Sequence, residues 1–277
     1  MRKFNGHGKS FSNGKFLLIA ALLAGLYAPS LWWMVDRWWA ADSYYSHGPL
    51  VPFVSGWLLW SRRKTLSKLP LVPSRWGWGW LAMGLLLQIA SAFGRIYFTS
   101  AISFFFVAVG IVLLLGGRPL LAQVWFPVAF LLFMVPLPLS SIAALSLKMK
   151  LWAASVSSRI LWAVGVPNLQ QGSFLRLPHA TVVVEDLCSG LRSLISLIAL
   201  GFLCAYLMRS SWWKRGVLLL TAVPVAMGAN VFRITVVSLV SELYGTQIAS
   251  GTFHDVMGFI TFLGAYGALT LLGWWLR

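Results

Sequence analysis

The sequence predicts an all-α integral membrane protein, and three observations carry that prediction. The 277 residues are 59% hydrophobic and 10% charged, and their mean hydropathy is +0.79. Several apolar stretches approach or exceed the roughly 20 helical residues that cross the hydrocarbon of a bilayer. These stretches are continuous, whereas a membrane β-barrel requires alternating apolar and polar residues. Lipid offers the backbone no hydrogen-bond partners, so the spans are expected to be helical.

About eight transmembrane helices are predicted along a single membrane domain, residues 1–277. Pro49 and Pro52 shorten the second span, and Pro127, Pro136 and Pro138 make the end of the fifth irregular because proline cannot continue the helical hydrogen bonding. The predicted spans are residues 16–35, 48–60, 76–93, 96–116, 119–139, 187–208, 216–240 and 255–276.

The stretch between the fifth and sixth spans has a different character. Residues 140–166 contain Lys148, Lys150 and Arg159, and their polar groups do not share one helical face. We therefore interpret this stretch as lying on the outer surface or as partly inserted. Residues 167–184 hold short β-prone runs punctuated by proline and glycine, which predicts a small extracytoplasmic β-hairpin or extended loop.

Lysine and arginine counts orient the chain. With both termini in the cytoplasm, the inner segments hold fourteen of these residues and the outer segments hold six. This asymmetry predicts a multi-pass protein of the cell (inner or plasma) membrane with both termini cytoplasmic. The net charge of +16 has the same origin, because its cations are spread over short loops. The bilayer is therefore the expected partner, and nucleic acid is not.

Three chemically active residues lie near the ends of the last three apolar spans. Cys188, Arg233 and His254 are separated from the cations at the opposite ends of their spans by 21, 18 and 23 residues. These separations correspond to roughly 31, 27 and 35 Å of helix, about one hydrocarbon thickness each. A thiol, a guanidinium and an imidazole are therefore expected at one depth, on the outer face. We interpret them as an active site.

The surroundings of Cys188 favour a reactive thiol. It follows two acidic residues in the first turn of the predicted sixth span, where the helix N-terminus stabilises a thiolate. Ser189 comes next, and Arg192 stands four residues on, on the same helical face, where it can add a cation. The alternative is a buried structural cysteine. Cys204 is 16 positions away, about 24 Å along a helix, too far for a disulfide with Cys188.

The remaining candidates surround this predicted site. Asn230 precedes Arg233 by three residues, so both side chains point the same way along the predicted helix. Arg233 is expected to stabilise an oxyanion or to bind a substrate carboxylate. The alternative is that its side chain reaches the outer membrane interface. His254 is expected to act as an acid or base, or to be solvated, and Gly258 one turn on allows close helix approach. His47 lines the site or caps the second span. No Cys/His spacing indicates a metal, and no cofactor is expected.

Three ordered blocks carry a resemblance to a known family. They are Glu185-Asp-Leu-Cys-Ser-Gly-Leu-Arg192, Asn230-Val-Phe-Arg233 and His254-Asp-Val-Met-Gly258. With Ser46-His-Gly48 upstream, they resemble the exosortase/archaeosortase family over about residues 45–260.

The resemblance implies a membrane cysteine transpeptidase or protease acting on the extracytoplasmic side. It implies exported protein substrates with a C-terminal sorting signal: a short motif, often Pro-Glu-Pro, then a transmembrane helix and a basic tail. It assigns catalysis to Cys188, Arg233 and His254. Two alternatives remain open from the residues, a transporter or channel and a non-catalytic subunit of a polysaccharide export assembly. The oligomeric state is not predicted.

Overall fold

A computed structural model describes most of the chain. The described residues are 13–41, 43–184, 190–249 and 251–277, with side chains from residue 21 onward. Two predicted site residues, Cys188 and Ser189, lie outside the described residues.

The described residues form ten α-helices and one small sheet. The helices are α1 (Asn13–Trp39), α2 (Leu50–Ser61), α3 (Arg63–Leu66), α4 (Trp76–Gly94), α5 (Tyr97–Phe130), α6 (Leu139–Ala163), α7 (Leu191–Leu207), α8 (Trp212–Tyr244), α9 (Thr246–Ala249) and α10 (Thr252–Trp275). The strands are β1 (Leu169–Gln171), β2 (Phe174–Arg176) and β3 (Thr181–Val183). Each of the eight predicted spans overlaps a helix.

The long helices make this an α-helical integral membrane protein. Within the part of the chain that the structure describes, four stretches are both long and apolar enough to cross a bilayer: α4, α5 with the turn that follows it, α8 and α10. The helices α2 and α7 are apolar but shorter. The total of eight spans stays a prediction.

Gly117 divides α5 into two helical segments. Its φ of +67° and ψ of −158° are not helical, and a Cβ at this position would lie 1.8 Å from the carbonyl oxygen of Val72. Only glycine fits such a close approach at positive φ. The break falls where the sequence predicts the boundary between the fourth and fifth spans. After α5 the chain continues through a 3-10 turn, Leu131–Met134, to Pro136, which is the irregular end that the prolines predict.

A single long helix, α6, occupies the stretch predicted to be surface-lying or partly inserted. Its 25 residues bury one stripe against α8, while Lys148 and Arg159 are exposed. The buried stripe consists of Ile142, Ser146, Met149, Ala153, Ala154, Ser157 and Leu161. Small residues at helical spacing allow two helices to pack closely. The position of α6 relative to the bilayer stays a prediction.

The three strands form an antiparallel sheet in the order β1-β2-β3. The sequence predicts a small hairpin or extended loop here, and the structure adds a third strand. Leu175 in β2 is fully buried and packs in one cluster with Val184, Val231 of α8 and Leu161 of α6. The sheet is therefore anchored on α6 and α8.

The chain divides into two compact units, and the first comprises Met1–Asp36 and Leu59–Val135. A buried polar network joins its helices α1, α4 and α5. Gln88 donates from Nε2 to the carbonyl of Leu26 (3.1 Å) and accepts at Oε1 from the hydroxyls of Ser100 (2.5 Å) and Ser103 (3.1 Å). Hydrogen bonds of this kind hold helices together where lipid provides no hydrophobic driving force.

The second unit comprises Arg37–Leu58 and Pro136–Arg277, and α8 is its central helix. α6, α7 and α10 all pack against α8, and β3 lies beside it. Every described candidate residue belongs to this unit.

Candidate active site

The centre of the candidate site is a polar pair on α8. Asn230 and Arg233 are 6% and 9% exposed, and the Arg233 Nη2 group donates a hydrogen bond to Asn230 Oδ1 at 3.0 Å. The i,i+3 spacing places both side chains on the same face of α8, as the sequence predicts. Arg233 therefore turns into the helix bundle, instead of extending to solvent.

The start of α7 rests on Asn230. Gly190, the residue before α7, has a φ of +80°. A Cβ at this position would lie 2.7 Å from Asn230 Cγ and 2.8 Å from its Nδ2. Such distances are too short for any side chain, and the positive φ independently favours glycine. The backbone that enters α7 therefore passes directly over the Asn230 amide.

The start of α10 rests on Arg233. A Cβ at Gly258 would lie 3.2 Å from Arg233 Nη1, so the guanidinium lies against the backbone of α10. His254 stands one helical turn before Gly258, on the same face, and is half-buried. Asp255 is exposed. The close approach predicted at Gly258 is present, and the group that approaches the Gly258 backbone is the side chain of Arg233.

His47 contacts α7. Its Nδ1 is 3.1 Å from the hydroxyl of Ser196, which lies one turn along α7 from Arg192, and its ring is 5.8 Å from that of Tyr45. The His47 carbonyl accepts a hydrogen bond from the backbone N–H of Leu50 at the start of α2. The ring therefore engages α7 while the backbone begins α2. Burial raises the pKa of the Tyr45 phenol, against a smaller lowering by a backbone hydrogen bond at Leu137, so this neighbour is neutral.

Two buried donors near the start of α7, one on α7 and one on α8, have no acceptor among the described residues. They are Arg192 Nε and Asn230 Nδ2. A buried donor without an acceptor costs about 1–3 kcal/mol. The two groups therefore indicate an acceptor that the described part of the chain does not supply.

The charge of the described residues around the site is positive. Arg192 and Arg233 both lie near the start of α7, and the described acidic residues of the second unit are Glu242 and Asp255. Glu242 is already engaged, since its Oε1 is 2.6 Å from His179 Nδ1 and its Oε2 accepts from the His179 backbone N–H at 3.1 Å. A site of this charge stabilises anionic groups.

Within the described residues, no group of three or more His, Cys, Asp or Glu side chains has the arrangement of a metal site. Cys204 is a free cysteine that packs against the apolar cluster of α7, α8 and α10. Its position agrees with a small apolar residue in the helix packing.

The structure brings Asn230, Arg233 and the turn that carries His254 together, and it places His47 against the face of α7 that carries Arg192. Cys188 and Ser189 lie outside the described residues, so their distances to these groups stay predictions. Sequence reasoning did not identify Ser196 or the packing role of Gly190. The left-handed φ of Gly190 and its contact with Asn230 have no local signal in the sequence, because glycine is only modestly favoured at the start of a helix.

A comparison with protein families identifies the family of this chain. A family model described as transmembrane exosortase (Exosortase_EpsH) matches residues 38–271. No curated protein and no solved structure matches the chain. The matched range contains all candidate residues, from His47 to His254. It also covers most of the 277-residue sequence, so the chain belongs to the transmembrane exosortase family.

Proposed function

We propose that this protein is a membrane-embedded cysteine transpeptidase or protease that processes exported proteins at a C-terminal sorting signal. The observation that carries the proposal is the position of Arg233. Its guanidinium is buried, bonded to Asn230 beneath Gly190, and in contact with Gly258 of α10. A buried guanidinium between two helix starts suits the binding of a negative charge that develops during a reaction.

The other two proposed catalytic residues, Cys188 and His254, are close in sequence to residues that contact the Asn230–Arg233 pair. Cys188 precedes Gly190 by two residues, which span at most about 7 Å of extended chain. His254 precedes Gly258 by four residues, about 6 Å along a helix. Both reactive side chains therefore belong to segments whose ends contact the Asn230–Arg233 pair.

In the proposed reaction, the Cys188 thiolate attacks the carbonyl carbon of a substrate peptide bond, and a C–S bond forms. Arg233 stabilises the oxyanion of the tetrahedral intermediate. The C–N bond then breaks, and the His254 imidazolium donates its proton to the departing amine nitrogen. Water or an acceptor amine attacks the resulting thioester and releases the thiol.

The remaining candidate residues support this chemistry. Asn230 orients Arg233 through their hydrogen bond. Arg192 adds a positive charge that favours the thiolate form of Cys188. Ser189 is adjacent to the nucleophile, and His47 packs against the face of α7 that carries Arg192. Both are proposed to contact the substrate. No cofactor enters the mechanism.

The proposed topology suits a substrate with an apolar helix and a basic tail. Eight spans with cytoplasmic termini place Cys188 on the extracytoplasmic face of the cell membrane, by the distribution of Lys and Arg. A substrate tail rich in Arg is retained in the cytoplasm by the same rule. Its helix then presents the preceding motif at the opposite face, level with Cys188.

Replacing the nucleophile tests this proposal. The probe is an exported reporter protein that ends in Pro-Glu-Pro, an apolar helix of about 20 residues and an Arg-rich tail. Cys188→Ala should leave the reporter unprocessed at unchanged enzyme level, and mass spectrometry of the wild-type enzyme should detect a thioester on Cys188. Cys204→Ala is the matched control and should process the reporter normally. Normal processing by Cys188→Ala would refute the enzyme and favour a transporter or a non-catalytic subunit.

A further inference from the structure

The small sheet is fixed firmly to α8. Its buried face packs on α6 and α8 through Leu175 and Val184. At its β2–β3 turn, the backbone N–H and the ring of His179 both contact the Glu242 carboxylate in the last turn of α8. A peptide that binds to this sheet would therefore be held at a defined position relative to α8.

Hydrogen bonds on both flanks of β3 show which of its residues face β2. Before the strand, the Leu177 N–H donates to the carbonyl of Ala180 at 2.8 Å; after it, the Val184 N–H donates to the carbonyl of Ser173 at 2.9 Å. Backbone groups in an antiparallel strand alternate between its two edges. The even-numbered residues of β3 therefore bond to β2.

The other residues of β3 turn their backbone groups to the opposite edge. Thr181 and Val183 present N–H and C=O groups there, and both residues are exposed. No described residue bonds to these groups. Among the residues that the structure describes, β3 is thus an open edge, which is a template for an additional strand.

This open edge belongs to the strand that packs on the helix of the candidate site. β1 and β2 pack along α6, whereas β3 packs along α8, the helix that carries Arg233. The chain also runs from Val183 to Cys188 in five residues. The open edge is therefore continuous along the chain with the segment that contains the proposed nucleophile.

We propose that the open edge of β3 binds the segment of the substrate that contains the scissile bond, as an added β-strand; this inference rests on the proposed function. A helical peptide has its carbonyl groups bonded within the helix, so attack by a thiolate requires an extended segment. Strand addition holds such a segment through its backbone.

The charge on the outer face of the sheet indicates which side chains an added strand would carry. Arg176 of β2 is exposed and lies opposite Thr181 in the register, on the outer face of the sheet. The described carboxylate at the sheet, Glu242, is engaged by His179. An added strand with an acidic side chain is therefore favoured over a neutral or basic one.

Proline substitution separates the two edges of the sheet. Val183→Pro removes an N–H that points to the open edge and leaves the bonds to β2 intact. Processing of the reporter should slow roughly tenfold, since each 1.4 kcal/mol of lost binding is tenfold. Gln170→Pro, on the open edge of β1, is the matched control and should stay within about twofold of wild type. Equal rates for the two variants would overturn the inference.

Cross-linking gives a readout that does not depend on the folding of a proline variant. A photo-reactive amino acid replaces Thr181 in the Cys188→Ala protein, and another replaces Leu169, which occupies the same rung at the far edge. The reporter should cross-link through its extended segment at position 181 and not at 169. Equal cross-linking at both positions, or at neither, would overturn strand addition. Failure of wild-type protein to process the reporter would instead refute the proposed function.

Discussion

The guanidinium of Arg233 lies against the backbone of Gly258, where a Cβ would be only 3.2 Å from Nη1. This contact joins α8 to the helix that carries His254. It makes the size of residue 258 a determinant of the site geometry, because any side chain there displaces the arginine.

Gly258→Val should therefore lower the rate of reporter processing by at least about tenfold, since a shift of about 1 Å in a catalytic group can cost far more than that. The rate is measured by the appearance of processed reporter in membranes with equal enzyme content. Gly264→Val in the same helix is the control, because a Cβ at Gly264 meets nothing within 4 Å. Equal rates for both variants would contradict the role of the Gly258 contact.

Gly190→Ala should reduce both stability and processing. The substitution forces alanine into a φ of +80°, at about 1–2 kcal/mol, and drives its Cβ into the Asn230 amide. Gly165→Ala is a matched control, because its φ is +85° and its Cβ would meet nothing within 4 Å. The control carries only the backbone strain, so thermal unfolding in detergent should show a clearly larger loss for Gly190→Ala. Similar losses would show that the contact with Asn230 adds nothing.

Arg233→Lys should lower the catalytic rate by about 10²–10³-fold, which is typical of the loss of one oxyanion donor. Lysine keeps the charge but cannot reproduce the planar fork that bonds to Asn230 while contacting Gly258. Turnover of the reporter is the measurement. Arg159→Lys, at an exposed position on α6, is the control and should be neutral. A fully active Arg233→Lys variant would show that only the charge matters.

Gln88→Leu should destabilise the first unit without changing the chemistry. The substitution removes the acceptor of Ser100 and Ser103 and the donor to Leu26, three hydrogen bonds that each contribute about 0.5–1.5 kcal/mol. The unfolding temperature in detergent should fall, while processing per folded molecule stays at the wild-type rate. Ser67→Ala, an exposed hydroxyl in the loop after α3, should leave the temperature unchanged. An unaltered unfolding temperature in Gln88→Leu would mean that the network does not contribute.

The parts of the fold that could be predicted are those with a local signal. Continuous apolar runs locate α4, α8 and α10, and the boundary between the fourth and fifth runs locates the break in α5. The Asn230–Arg233 pair is also local, since three residues along a helix fix the direction of both side chains.

The parts that could not be predicted depend on contacts between distant residues or on weak patterns. The stripe that buries α6 is made largely of Ala and Ser, which contrast little with their neighbours in hydropathy, so its helical face is not visible in the sequence. Strands of three residues are too short to show a periodicity. Gly190 meets Asn230 across 40 positions of chain, and no local rule indicates that contact.

The stretch of α8 from Arg233 to Glu242 contains neither proline nor glycine and forms part of one uninterrupted helix. Their separation of nine positions corresponds to about 13 Å along the helix, so α8 sets the distance between the guanidinium and the carboxylate that holds the sheet. Inserting one residue between Arg233 and Glu242 would rotate Glu242 by about 100° around the helix relative to Arg233 and carry it away from His179. The length of α8 between Arg233 and Glu242 therefore sets how far the sheet lies from the arginine along the helix axis.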